Sequence, residues 1–134
     1  MGWNQIKLFE SLQRCKNINT VNDNDCLISI MNDYGDLPLN FIFSSQQLII
    51  ETLICPVSDI VKKDEFNTFL LRSQKLLPLS SVGLSTIKQA EYYIAFGALS
   101  LNSSFDDILL EMATLAHNAL DLAEVASGFM DPEI

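Results

Sequence analysis

The stretch LLPLSSVGLSTIKQAEYYIAFGALSL, Leu76 to Leu101, constrains the fold more than any other part of the chain. It reads as two antiparallel strands, Ser80–Ile87 and Glu91–Leu101, joined by a polar turn at Lys88-Gln89-Ala90. In the second strand Tyr92, Ile94, Phe96 and Ala98 share one face, and Tyr93, Ala95, Gly97 and Leu99 share the other. Both faces are largely apolar, the pattern of a strand from the middle of a sheet rather than its edge. Gly97 removes a side chain in mid-strand, which predicts a bend, a bulge or the close approach of a covering helix.

The rest of the chain supplies partners for this hairpin. Trp3–Cys15 predicts a short amphipathic helix with Ile6, Phe9, Leu12 and Cys15 on one face, widened by Leu8. The polar run Asn17–Asp25 breaks every pattern and reads as a loop. Three strands follow: Cys26–Met31, then Leu37–Phe43 after the Asn32–Asp36 turn, then Gln47–Cys55, which ends at Pro56. Pro38 belongs at a strand start or an outer edge, because it cannot donate to a ladder. Asp59–Leu77 predicts a second helix with Asp64 as N-cap, stopped by Pro78. Ser103 or Ser104 caps a third, whose seam runs Phe105, Ile108, Met112, Leu115, Ala119, Leu122, Ala126 and Phe129, ended by Gly128 and Pro132. The expected fold is α+β, in the order α-β-β-β-α-β-β-α: a mainly antiparallel five-stranded sheet packed with helices, one domain over residues 1–134.

Charge narrows the function classes. The net charge of −9 argues against nucleic acid and anionic lipid, since phosphate is bound by clustered Lys and Arg. No apolar run approaches the ~20 residues that span a bilayer. The opening MGWNQIKLFESLQRC carries Glu10 and no apolar core, so a signal peptide is not expected. Cys15, Cys26 and Cys55 form no CxxC and read as inert, half-buried thiols of a reduced cytoplasmic protein.

Catalytic patterns are missing from the sequence. It holds neither GxGxxG nor GxxxxGK, and one histidine, His117, reads as a helix-surface or boundary residue rather than a ligand. Gly83–Ile87 lacks the closing glycine of a nucleophile elbow. Asp33 and Asp36 read as turn formers, and Asp106, Asp107 and Glu111 as helix-start acids with nothing to position a catalytic partner. No cofactor and no metal is expected.

Three segments, NDYGDLPLNF at Asn32–Phe41, LLPLSSVGLS at Leu76–Ser85 and EYYIAFGALS at Glu91–Ser100, resemble the YjfI-like family of small bacterial proteins, a domain of unknown function. The resemblance runs from Trp3 through the final ALDLAEVASGFM. It brings no catalytic residues, and it implies a cytoplasmic accessory protein. Some relatives are encoded near phage-shock-protein-A-like factors, which implies a link to envelope stress. The element order is also similar to type III secretion chaperones, dimers whose apolar grooves hold an extended client segment.

These readings favour a non-enzymatic protein-binding, adaptor or chaperone-like module, working as a homodimer. The dimer is expected to hide the sheet face carrying Phe41 and Phe43, or the edge of the long helix, if either is left uncovered. The alternative is a small-molecule sensor or enzyme with a pocket between sheet and helix, using Tyr92 and Tyr93 beside Glu91. The sharpest anomaly lies in the charges: Lys88 is the last Lys or Arg of the chain. Asp121 and Glu124 sit near the carbonyl end of the third helix, where negative charge is disfavoured. With Asp131 and Glu133 they form a candidate docking surface for a basic partner segment.

Overall fold

The computed structural model describes residues 2–23 and 25–131. Its elements run α1 (Gln5–Leu12), β1 (Ile18–Asp23), β2 (Cys26–Met31), β3 (Leu37–Phe43), β4 (Gln47–Pro56), α2 (Lys63–Ser73), β5 (Ser81–Ile87), β6 (Ala90–Ser100) and α3 (Phe105–Ser127). One antiparallel sheet orders its six strands β1-β2-β3-β4-β6-β5. The fold is α+β as expected, with β6 inside the sheet. The hairpin turn is tighter than expected: Lys88 and Gln89, both at positive φ (49° and 70°), make it alone, and Ala90 already belongs to β6.

The strand count is six, not five. The segment expected to be a loop contains β1, which pairs residue for residue with β2 from Ile18–Met31 to Asp23–Cys26. Its sequence, INTVND, has too few apolar side chains to announce a strand. Pairing with β2 decides its conformation, reinforced by Thr20 Oγ1 and Ser29 Oγ at 2.8 Å.

Register assigns each side chain to a face, because directly opposed residues point the same way. Leu27, Met31, Leu39, Phe41, Leu48, Ile50, Tyr93 and Ala95 fall on one face and are buried there with Leu8 and Leu12 of α1, Phe66 and Leu70 of α2, and Ile108, Met112, Leu115 and Ala119 of α3. All three helices therefore cover the same side. The α3 seam is buried as expected, save half-buried Phe105 and Phe129 at its ends. Pro132, the expected stop, lies outside the described residues.

Among the described residues, no helix lies on the other side of the sheet. Ile28, Ile30, Ile42, Ile49, Leu53, Ile94 and Phe96 alternate with the core residues and belong to no part of the central cluster. The face carrying Phe41 and Phe43 is thus the covered one, and β6 is not sandwiched between layers. Ile94 is still buried: it lies opposite Leu53 on β4 and, beside the Phe96 ring, leans over the room that Gly83 leaves on β5.

Two helix starts differ from expectation. In α1 the buried pair is Leu8 and Leu12, while Ile6 is exposed, because the helix is short enough that one i,i+4 pair fixes its rotation. In α2 Lys62, not Asp64, is the N-cap, and Asp64 with Glu65 occupies the first turn beside the free N–H groups. Ser104 caps α3, its Oγ accepting from Asp107 N at 3.1 Å.

Candidate functional site

The acidic surface is built on the last turns of α3. Asp121 and Glu124 are three residues apart on one exposed side of the helix. Asp121 pairs with His117, one turn earlier, at 3.2 Å, and both side chains are exposed. No basic residue lies in the last turn to offset the carbonyl end. Asp131 is exposed beyond the helix, and Glu133 lies outside the described residues. The structure thus brings Asp121 and Glu124 together, with Asp131 past the point where Val61 N–H donates to Phe129 O at 2.9 Å and Ile60 bridges Met130. His117 is a surface residue, as expected.

A second surface sits where α2 meets the β5–β6 hairpin. A cleft of about 230 Å³ is lined by Asn67, Leu70 and Leu71 of α2, Val82, Gly83 and Leu84 of β5, and Tyr93 of β6. Phe66 meets the Tyr93 ring edge-on at 4.9 Å, and the Tyr93 hydroxyl donates to Asn67 Oδ1. Burial, with Cys55 and Glu91 nearby, pushes the Tyr93 hydroxyl above its ordinary range. Tyr92 alternates to the helix-free face and does not reach this cleft. Leu71 and Leu84 are 72% and 57% exposed, so the cleft opens onto an apolar surface. Leu76 and Leu79 extend the exposed leucines along the connection into β5. Leu79 adopts φ 63°, a left-handed conformation costly for a branched side chain. It is held there by Asn118, buried on α3, whose Nδ2 donates to Pro78 O and Ser80 Oγ, both at 3.0 Å.

The remaining candidates are dispersed. Cys55 is buried, and desolvation with Asp59 nearby pushes its thiol up to about 11; Cys15 is half-buried, while Cys26 is exposed, contrary to expectation, at the start of β2. Asn32, Asp33 and Tyr34 form a one-turn helix closed by Asn32 Nδ2 donating to Asp36 Oδ1 at 2.9 Å, so Asp36 serves the turn.

Glu111 is where sequence reasoning missed the geometry. It is 5% exposed, packed over Gly97, and its Oε2 is buried without a hydrogen-bond partner among the described residues. A Cβ on Gly97 would stand 2.7 Å from that oxygen, so the glycine makes room for the carboxyl. Burial raises the Glu111 pKa. The signal lay in the spacing: position 111 falls between Ile108, Met112 and Leu115 on the buried stripe, opposite a mid-strand glycine.

Comparison with known proteins gives the chain relatives. Residues 3–130 match the model of a family described as "Uncharacterized protein conserved in bacteria (DUF2170)". Two relatives described as "Uncharacterized protein YjfI", from Escherichia coli K12 and O157:H7, are 58% identical over 131 residues, 96% of this chain and 98% of theirs. Among solved structures, YbjN from E. coli superposes with a TM-score of 0.63 at 7% identity, over 95% of this chain and 93% of that one. A chain of the HopA1–SchA chaperone–effector complex superposes with a TM-score of 0.60 at 18% identity, over 90% of each. At such identities the likeness establishes a shared fold.

Proposed function

The chain belongs to the DUF2170 family of uncharacterised bacterial proteins, and from that premise we propose that it is a non-enzymatic, cytoplasmic protein-binding module of chaperone-like kind, one domain that works as a homodimer. The observation that carries the reading is the helix-free sheet face. Val21, Ile42 and Leu53 are 57%, 41% and 44% exposed on it, among half-buried Ile28, Ile30 and Phe96. Its charged residues are Asp23 at one edge and Glu51 in the middle. Six strands about 4.8 Å apart and about 20 Å long give a flat footprint of roughly 500 Å². Side-chain relief brings that toward the ~800 Å² per partner of a stable interface. A second copy laid face to face covers it, as two sheets of a sandwich cover each other.

In this reading Asp121 and Glu124 near the end of α3, with Asp131 and Glu133 after it in sequence, dock a basic segment of the partner, which accounts for the negative charge that Asp121 and Glu124 place against the helix dipole. The test is in-cell crosslinking followed by capture at low and high salt, comparing the native chain with Asp121→Asn, Glu124→Gln, Asp131→Asn and Glu133→Gln combined. Capture that weakens in the amide variant and in salt supports the docking surface. Capture equally indifferent to both makes the acids a solvated face, and no reproducible partner under any condition overturns the module itself.

The cleft at Tyr93 favours a second reading, a small-molecule sensor. Its size suits a fragment-sized ligand, with Asn67 and the Tyr93 hydroxyl as polar handles. A thermal-shift screen of metabolites that yields a hit lost in Tyr93→Phe would move the conclusion to that reading.

A further inference from the structure

We propose that the outer edge of β5 is a strand-docking site that takes an extended segment of another polypeptide carrying acidic residues at its ends. The proposal rests on the protein-binding reading above and names a second site for it.

The two edges of the sheet are built differently. At β1, the strand is polar, and α1 reaches over it: Gln5 Nε2 donates to Asn22 Oδ1 at 2.7 Å and to Asp23 O at 3.0 Å. At β5, the strand SVGLSTI has neither charge nor proline, and among the described residues no strand pairs on its outer side. Edge strands of this kind are normally blunted by lysine, proline or a bulge, since their unpaired backbone groups template another strand.

The direction of the free groups follows from one bond. Val82 N–H donates to Gln74 Oε1 at 2.6 Å, so it points away from β6. In an antiparallel pair, alternate residues exchange their bonds with the neighbour. The backbone groups of Leu84 and Thr86, with the carbonyl of Val82, therefore face outward. The side chains of Val82 and Leu84 lie toward α2 and line the apolar cleft, where an alternate side chain of a docked strand would enter.

Charge selects the occupant. The chain is acidic overall, yet exposed cations stand at both ends of β5: Arg72 and Lys75 flank Gln74, which holds the Val82 end, and Lys88 follows Ile87 directly. A second copy paired antiparallel about Leu84 would bring Lys88 of each copy toward the Lys75 end of the other, like charge against like. A foreign strand ending in acids meets opposite charge at both ends.

The probe is a fluorescein-labelled peptide of seven residues, the length of β5, alternating valine and threonine between a terminal aspartate and a terminal glutamate. Anisotropy titration at low salt should show saturable binding. Replacing its end acids by lysine should weaken binding about tenfold. N-methylation of the peptide amides that face β5, or Leu84→Lys in the protein, should abolish it. Leu84 is exposed enough for the variant to fold, which a melting curve checks. Binding unaffected by Leu84→Lys, or no binding at all, overturns the site. So does a peptide-free dimer that Leu84→Lys converts to monomer, which assigns the edge to a second copy. Failure here with partner capture intact removes this site and leaves the protein-binding reading standing.

Discussion

The two faces of the sheet are made from alternate residues of the same strands, and they meet opposite fates. Phe41 is 5% exposed and Ile42 41%; Thr52 is 4% exposed and Leu53 44%. The polar residue of the second pair is the buried one, its Oγ1 donating to Pro38 O at 2.9 Å. Along α3 the same inversion occurs, with Glu111 buried and Leu110 57% exposed. Apolarity therefore does not decide burial in this molecule. The cover does, and among the described residues the α-helices lie on one face only.

The largest expected effect breaks the covered face. Leu115 is wholly buried on the sheet-facing side of α3, and Leu115→Ala should cost about 2–5 kcal/mol through lost contacts and an unfilled cavity. Ile42→Ala on the open face should cost within about 1 kcal/mol, as a half-exposed side chain has less burial to lose. Urea unfolding at low protein concentration measures both. Equal losses would mean that the open face is covered in solution even there.

Next comes the seat of Glu111. Gly97→Ala pushes a methyl against the carboxyl, with a Cβ 2.9 Å from Glu111 Cδ, and should cost about 1–3 kcal/mol as overpacking. Glu111→Ala vacates the space, so the double variant should recover most of that cost. A double-mutant cycle without coupling would show that the two residues do not share the site.

The same carboxyl gives a pH dependence of definite sign. Its folded pKa is raised by burial, so the native state holds the proton to higher pH than the unfolded chain. Stability from this group is present below the ordinary glutamate pKa and falls as pH rises through the raised value. Glu111→Met, similar in length and uncharged, should remove that fall and stabilise the protein at pH 7 by about 1–3 kcal/mol, the cost of a buried polar group left unpaired. Melting curves from pH 4 to pH 8 check it; a native profile that climbs through this range and an unchanged difference between the variants would sink it.

These contrasts mark how much was legible in the sequence. The central hairpin, the α3 seam and the end of β4 at Pro56 were readable because periodicity, proline and capping are local, whereas α2 spans Lys63–Ser73 and stops short of the expected end before Pro78. β1 was not, since INTVND becomes a strand only through its partner. Ile6 and Leu8 are both apolar, and only docking chooses between them. Glu111 reads as a helix-start acid in the sequence, because the space that buries it comes from Gly97, fourteen residues away in the chain. The acids at the end of α3 were found by a broken helix-dipole rule, which a sequence displays directly. The β5 edge was invisible for the opposite reason: its free side is a property of strand order, and its apolar residues look like core.

The smallest expected effect on monomer stability tests the open face itself. Ile42 and Leu53 lie on it, opposite Ile49 and Ile94 respectively. Ile42→Lys and Leu53→Lys together should change unfolding free energy by only about 0.5 kcal/mol each at low concentration, because both ammonium groups stay in water. In a face-to-face dimer they would instead be desolvated, and the two-fold would set cation near cation. Light scattering should then fall from twice 15.0 kDa for the native chain to 15.0 kDa for the variant. The concentration dependence of the melting temperature should vanish with it, since dimerisation stabilises the native state by mass action. A native mass of 15.0 kDa across a wide concentration range would remove the dimer and leave the open face to a different protein.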